Sequence, residues 1–302
     1  MRNELTSQLV NLYREKNIPL RKLALRFNIS RYAIRKILCQ HHIPIRNSRS
    51  ALIAMGHIKE KVRFSLPSQE KAYLFGLVMG DLTPIKKSSY TLRLITHTTH
   101  TYFRDLLWNT FKKYGPVSAN INKKGEYRFV AYLDYLSFLF LLETKTGKIP
   151  SWLSKKYFYS FLAGFIDSDG SVLIRKSGRY FQYVIRFFSE NLDLLLNVKN
   201  SLESLNYHLS IHKNHSKGEV HYHRGIKFQY NHDYYTLEVY RRQETLNLLK
   251  IIPLRHPEKI MKKNLIFSVE KRGLYYWDEV KTDINELRSK IQSTVLSASS
   301  EK

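Results

Sequence analysis

One cysteine, Cys39, is all that 302 residues contain. A single thiol excludes an intramolecular disulfide and any zinc cluster built on cysteines. Long apolar runs are missing too. The most apolar stretch, "YLSFLFLLE" (135–143), falls far short of the roughly 20 residues that a membrane-spanning helix needs. No apolar secretory leader follows Met1, where the first residues read as a polar, amphipathic helix. These absences predict an intracellular protein, cytoplasmic or organellar and not secreted, with no membrane partner. Acids are scarce as well: 25 Asp plus Glu stand against 50 Lys plus Arg, a formal charge of +25. Such an excess calls for a polyanionic partner, nucleic acid before an acidic membrane surface. With 43% hydrophobic residues and this length, the chain can build two or three compact units.

The first 66 residues are the most one-sided, with 14 Lys/Arg and 3 Asp/Glu, a balance of 14 − 3 = +11. Leu5, Leu9, Leu12 and Tyr13 recur at helical spacing, and Leu20, Leu23, Ala24 and Phe27 mark a second short helix. "NIS" breaks it, and Ser30 is placed to cap a third helix carrying Ile34, Ile37 and Leu38. Two short helices joined by a tight turn resemble a helix-turn-helix. Arg31, Tyr32, Arg35 and Lys36 would then face the DNA major groove; a three-helix bundle with a solvated basic face is the plainer reading. "IPIRNSRSA" (43–51) shows neither period, so Arg46 and Arg49 either follow a minor groove or belong to a solvated linker. Cys39, next to Leu38, is expected in the packed interior.

From residue 69 the chain repeats itself. An apolar helix, the strand "YTLRLIT" (90–96), a helix, a hairpin and the closing helix "YLSFLFLLE" make the first copy. The second runs in the same order, with strands near "IKFQYN" and "YYTLEVYRR". Each copy opens on a small-residue motif: "LFGLVMGDL" (74–82) aligns with "LAGFIDSDG" (162–170). Gly76 and Gly80 fall one helical turn apart, as do Gly164 and Ser168, a stripe that lets two helix backbones approach closely. An acid follows directly in both, Asp81 and Asp169. If the stripes pack together, the two carboxylates meet, and like charges so placed need cations between them. Carboxylate and carbonyl oxygens suit Mg²⁺ or Ca²⁺.

"FLAGFIDSDGSV" (161–172) resembles the LAGLIDADG homing endonucleases, and "YLFGLVMGD" (73–81) is similar to the weaker first motif of their two-repeat, single-chain members. "KIPSWL" (148–153) and "PLRHPEK" (253–259) extend the likeness, which covers about residues 69–275. It implies an α+β fold: an N-terminal all-α helix-turn-helix, then two pseudo-symmetric αββαββα units with antiparallel, saddle-shaped sheets. The corresponding divisions are 1–48, a basic linker at 49–68, units at 69–150 and 151–275, and a helix with a frayed tail at 276–302. The resemblance further implies a monomer that cuts both strands of double-stranded DNA with short 3′ overhangs. It would use two or three Mg²⁺, with Ca²⁺ or Mn²⁺ able to take their place. Asp81 and Asp169 would be the essential acids, binding metal with the carbonyls of Gly80 and Ser168. Leu82 stands where the motif has its final glycine.

The family often supplies a cation near each unit's last strand, and alternation along "YTLEVYRRQ" selects Arg242; the equivalent place in the first copy is Asp134. The same alternation nominates Arg93, Asn120, Asn122, Arg175, Gln182, Arg186, Lys227 and Gln229 as DNA readers, against an ordinary half-solvated sheet. His212, His215, His221, His223 and His232 crowd one hairpin region without an apparent ligand spacing or carboxylate partner. A polar DNA-contacting hairpin explains them as well as a zinc site does. The alternative function is a cleavage-deficient maturase, with intron RNA as partner, or a DNA-binding transcription regulator.

Overall fold

The computed structural model describes residues 2–65, 68–122, 125–223 and 226–300, with side chains except at 2, 3, 223, 226–228 and 295–300. The chain divides into two compact units, Met1–Val62 and Arg63–Lys302. No helix among the described residues is long and apolar enough to cross a membrane.

The first unit holds α1 (Arg2–Arg14), α2 (Leu20–Phe27), α3 (Arg31–Gln40) and α4 (Ser48–Ala54). Leu9, Tyr13, Leu23, Ile34 and Leu38 form its small core. Asn28 closes α2 in the left-handed region (φ 51°), and the Ser30 hydroxyl accepts the Ala33 N–H to start α3. Two expectations fail in this unit. Residues 43–51 are not irregular throughout, because the Asn47 side chain accepts the Ser50 N–H and starts α4. Cys39 is exposed: α3 turns Ile34 and Leu38 inward, and the residue after Leu38 is carried round to the solvent side.

The second unit contains the same arrangement twice. The first copy runs α5 (Ser68–Asp81), β1 (Thr83–Ser88), β2 (Thr91–Thr98), α6 (Thr101–Phe111), β3 (Val117–Ile121), β4 (Tyr127–Asp134) and a 3₁₀ helix (Leu139–Thr146). The second runs α7 (Lys155–Asp169), β5 (Gly170–Ser177), β6 (Tyr180–Ser189), α8 (Leu192–Glu203), β7 (Leu209–His215), β8 (Val220–His223), β9 (Ile226–Gln229), β10 (Tyr234–Val239) and α9 (Arg242–Ile251). Then follow α10 (Pro257–Lys271) and α11 (Trp277–Ser300). Each copy builds a four-stranded antiparallel sheet, ordered β1-β2-β4-β3 and β5-β6-β10-β7. In both, the last strand lies between the second and third, so the fold is α+β with one topology used twice. One apolar core spans both copies and includes Leu92, Leu94, Phe129, Leu133, Val172, Phe187, Leu237 and Val239.

Three local readings are corrected. "YLSFLFLLE" does not open as a helix, because Asp134 accepts from the Ser137 N–H and hydroxyl; the 3₁₀ segment starts only at Leu139. "IKFQYN" supplies β9, which pairs with β8 in a separate ribbon, and the sheet's remaining edge strand is β7. The segment after 289 is helical to Ser300 rather than frayed, and Ile291 on the same helix is buried.

Candidate active site at the crossing of two helices

Ala72 to Val78 of α5 and Ser160 to Asp167 of α7 are buried without interruption. Helices buried on all sides need no polar face, and these two pack on each other. The gaps between them are glycine-sized. A methyl group on Gly76 would lie 2.0 Å from the Phe161 carbonyl oxygen, and one on Gly164 would lie 2.0 Å from that of Tyr73. Each glycine thus seats the other helix's backbone, a reciprocal contact of the kind a pseudo-twofold axis produces. At the third position Gly80 leaves room for Ser168, whose hydroxyl would be 1.9 Å from an added methyl. That hydroxyl donates back to the Gly164 and Phe165 carbonyls of its own helix.

Both helices end in an acid, Asp81 on α5 and Asp169 on α7. The C-terminus of a helix carries partial negative charge, so each carboxylate sits where the backbone disfavours it. Burial first and the neighbouring Asp81 second push the Asp169 carboxyl up to about 7, while Lys259 opposes them. Asp81 keeps solvent access, yet the protein crowding it raises its carboxyl, against Lys259 and His100. Lys259, from α10, is the cation of this group. Its ammonium donates to the Ile166 carbonyl and, at 3.4 Å, to that of Ser168. Burial lowers it to about 8, although Asp167, Glu258, Asp81 and Asp169 all hold it up.

Asp167 is wholly buried and positions this cation. One oxygen accepts the Tyr73 hydroxyl at 2.8 Å and the Arg255 backbone N–H at 2.7 Å. The Arg255 guanidinium stacks 3.7 Å from the Tyr73 ring centre and grips both Glu70 oxygens. The loop ahead of α10 is thereby tied to both motif helices, and it delivers Lys259 one turn later.

His256 in the same loop is buried and stacks on Phe103, ring centres 5.9 Å apart. Burial, then Lys259 and His100, push its imidazole down to about 3. The native state keeps His256 neutral while the unfolded chain takes a proton below about 6.5, so its contribution is present above 6.5 and lost as pH falls toward 3. At pH 5 the loss amounts to about 2 kcal/mol. Urea midpoints at pH 7.5 and pH 5 should therefore differ more for the parent than for His256→Gln. Equal differences would remove His256 as the cause.

Arg242 does not join the acids. The strand ends at Val239, and the chain turns into α9 with Arg242 as its first residue, so β alternation no longer applies. Its guanidinium pairs with Glu270 at 2.7 Å, reaches the Leu274 carbonyl and lies over Phe181, Tyr183 and Tyr275. Lys259 is the group that sequence reasoning missed. Its signal was present in "PLRHPEK", but no one-dimensional period links it to the motif helices.

The remaining nominated residues are spread over both units. Arg31, Tyr32, Arg35 and Lys36 are exposed on α3. Arg46 serves packing: it lies 4.3 Å over Tyr13 and donates to the Tyr13 carbonyl and the Asn17 side chain. Arg49 falls within α4. Arg93 is half-buried and Asn120 exposed, while Asn122 closes a hairpin turn with Glu126. On the second sheet, buried Glu238 takes Arg175 at 2.9 Å and Arg186 at 2.6 Å, and Arg175 also donates to Gln182. Gln229 donates to the Gly218 carbonyl. Lys227 is in β9, its side chain outside the described residues.

Two uncharacterized proteins of Methanocaldococcus jannaschii are similar to this chain. MJ0314 is 26% identical over 195 residues, 59% of this chain and 69% of that protein. MJ0398 is 28% identical over 188 residues, 60% of this chain and 65% of that protein. The match thus spans about two thirds of each relative's length. Among solved structures, I-DmoI in complex with DNA and Ca is similar with a TM-score of 0.42 and 17% identity, over 65% of this chain and 98% of that one. Residues 159–253, which contain most of the second motif helix and the sheet that follows it, match the family described as the LAGLIDADG-like domain.

Proposed function

We propose that the chain is a site-specific, metal-dependent DNA endonuclease of the homing type, a two-motif single chain with an N-terminal helix-turn-helix. It would break both strands of a long double-stranded target and leave short 3′ overhangs. One observation carries the reading: Asp81 and Asp169 end two clasped helices, near enough for Asp81 to raise the Asp169 carboxyl, inside a chain of charge +25. A protein that only bound a polyanion would have no use for paired acids.

The donor set fits a hard divalent cation. The carboxylates of Asp81 and Asp169 and the helix-terminal carbonyls of Gly80 and Ser168 are all oxygen ligands, as Mg²⁺, Ca²⁺ and Mn²⁺ prefer. Burial first and Asp81 second keep Asp169 raised to about 7 in spite of the one lysine, and a divalent cation would offset both. Bound there, Mg²⁺ supplies Lewis acidity and charge neutralisation at the scissile phosphate. The chain's own residues do the rest. Asp81 and Asp169 approach one strand each, and Lys259 offers its ammonium to charge developing on phosphate. Gly76 and Gly164 hold the two acids at a fixed separation. Arg31, Tyr32, Arg35 and Lys36 on α3 anchor one end of the target, and Arg93, Asn120, Arg175, Gln182 and Arg186 line the sheets that read the rest.

The two half-sites are unequal. Lys259 acts on both acids but donates to carbonyls of α7, those of Ile166 and Ser168, so the two acids do not share it evenly. One strand is therefore cut before the other.

The test is cleavage of a randomised duplex library in Mg²⁺ and in chelator, with the cut ends sequenced. Recovery of one site with 3′ overhangs, in Mg²⁺ only, is expected. On a supercoiled plasmid carrying that site, nicked circles should precede linear DNA; linear product without a nicked precursor would count against unequal half-sites. Tight binding with no cutting in Mg²⁺ or Mn²⁺ would favour the second reading, a cleavage-deficient maturase or regulator. The position of Lys259 supports that alternative, since its ammonium already neutralises part of the charge a metal would take.

A further inference from the structure

The turn between β7 and β8 carries a second cluster, which owes nothing to the paired acids. His215 ends β7, Glu219 follows in the turn, and His221 lies on β8. The His215 Nδ1 is 3.3 Å from the Glu219 Oε1, and the His221 Nε2 is 2.6 Å from the same oxygen. All three ligand atoms fall within 4.8 Å of one another. We propose that His215, Glu219 and His221 bind one transition-metal ion of the zinc class, which pins this turn.

The surroundings are already ordered for it. Tyr230 stacks flat on His215 with ring centres 4.3 Å apart and meets His221 edge-on at 5.3 Å, so both imidazoles have fixed planes. The second Glu219 oxygen accepts the Ser216 N–H at 2.8 Å, which orients the carboxylate as outer-shell partners of metal ligands do. Gly218, at φ +87°, lets the turn fold back, and Tyr230 exchanges backbone hydrogen bonds with Gly218 and Glu219.

Distances agree as well. Ligands at about 2.0–2.1 Å on tetrahedral corners stand about 3.3 Å apart. The His215 to Glu219 spacing has that value, the His221 to Glu219 spacing of 2.6 Å is shorter, and all three atoms lie within 4.8 Å, so side-chain rotation has to complete the set. Two imidazoles and one carboxylate select zinc-class ions over Mg²⁺. The three groups are each partly solvated, which gives an ion a way in and leaves its remaining positions to water. Among the described residues the ligand set is these three, and His212 is not in the cluster. The corresponding turn of the first copy, closed by Asn122 and Glu126, has no such group among its described residues.

Hydrogen bonds from protonated imidazoles to Glu219 would give the same apo geometry without any metal. The experiment separates the two. Full-length protein is stripped with chelator, returned to excess Mg²⁺ so that oxygen-only sites are filled, and titrated with Zn²⁺ against a chromophoric competitor. One equivalent should bind with micromolar affinity or better, and His215→Ala or His221→Ala should each weaken it at least about tenfold. Zinc-edge X-ray absorption of the unmutated protein should show a nitrogen/oxygen shell with two imidazoles and no sulfur, a readout that needs no variant to fold. Equal Zn²⁺ binding by the parent and the His215→Ala/His221→Ala variant, or a spectrum without two imidazoles, would overturn the assignment.

Discussion

Asp169→Asn should abolish DNA cleavage and, in the same protein, raise the melting temperature of the metal-free form. The carboxyl titrates near 7 in the fold, pushed there by burial and then by Asp81, against 3.8 in the open chain. A raised acid is one the fold would rather keep protonated. Its penalty stands in full above pH 7, shrinks as pH falls from 7 toward 4, and vanishes below that. Three units correspond to about 4 kcal/mol, which solvent access at the cluster cuts to roughly 2. Asparagine keeps the shape and carries no charge. The variant should melt several degrees above the parent at pH 8 in chelator, with the gain gone at pH 4. Added Mg²⁺ should stabilise the parent and leave the variant where it was, because a ligand that binds only the native state raises its stability by mass action. Cleavage should drop about a thousandfold or more, about 4 kcal/mol of barrier. A variant that still cuts, or one whose gain in melting temperature is the same at both pH values, would show that Asp169 does not carry the site's charge.

Gly164→Ala is expected to have the largest effect on stability. Helix propensity alone forecasts a gain of up to about 1 kcal/mol, since alanine is the better helix former. Space decides otherwise. The new methyl would meet the Tyr73 carbonyl oxygen at 2.0 Å and the Leu77 nitrogen at 2.6 Å, both backbone atoms of α5. A backbone cannot swing aside as a side chain does, so the helices must part along a buried face. A loss of about 3 kcal/mol or more follows, or a fall of roughly 6–12 °C in melting temperature. Gly80→Ala tests the same idea with a rescue. There the obstacle is the Ser168 side chain, and Ser168→Gly in the same chain should recover much of the loss. A stable Gly164→Ala variant would mean that the helices are not clasped at this distance.

The features that could be read from sequence are those carried by local periods. Small residues one turn apart gave the helix crossing, and alternation gave β2, β3, β6 and β10. Ser30 and its neighbours gave the start of α3. What escaped depends on tertiary company. β1 contains Pro84 and two lysines, which reads as loop, yet as an edge strand it tolerates a proline. β7 has only Leu209 and Ile211 as apolar markers and draws its identity from pairing with β10. Arg46 was open between a groove contact and a solvated linker because its cation-π seat on Tyr13 lies 33 residues away. Lys259 is brought to the acids by the loop that the Asp167 and Arg255 link fixes, across 88 residues of chain. Alternation cannot see such distances.

The crossing is matched but not symmetric, glycine on one side at its third contact and serine on the other. Two copies of the second half could not embrace as the two halves do, since hydroxyl would confront hydroxyl in a space fitted to one. At this contact the two halves are complements rather than interchangeable repeats, a lock that fits only one way round.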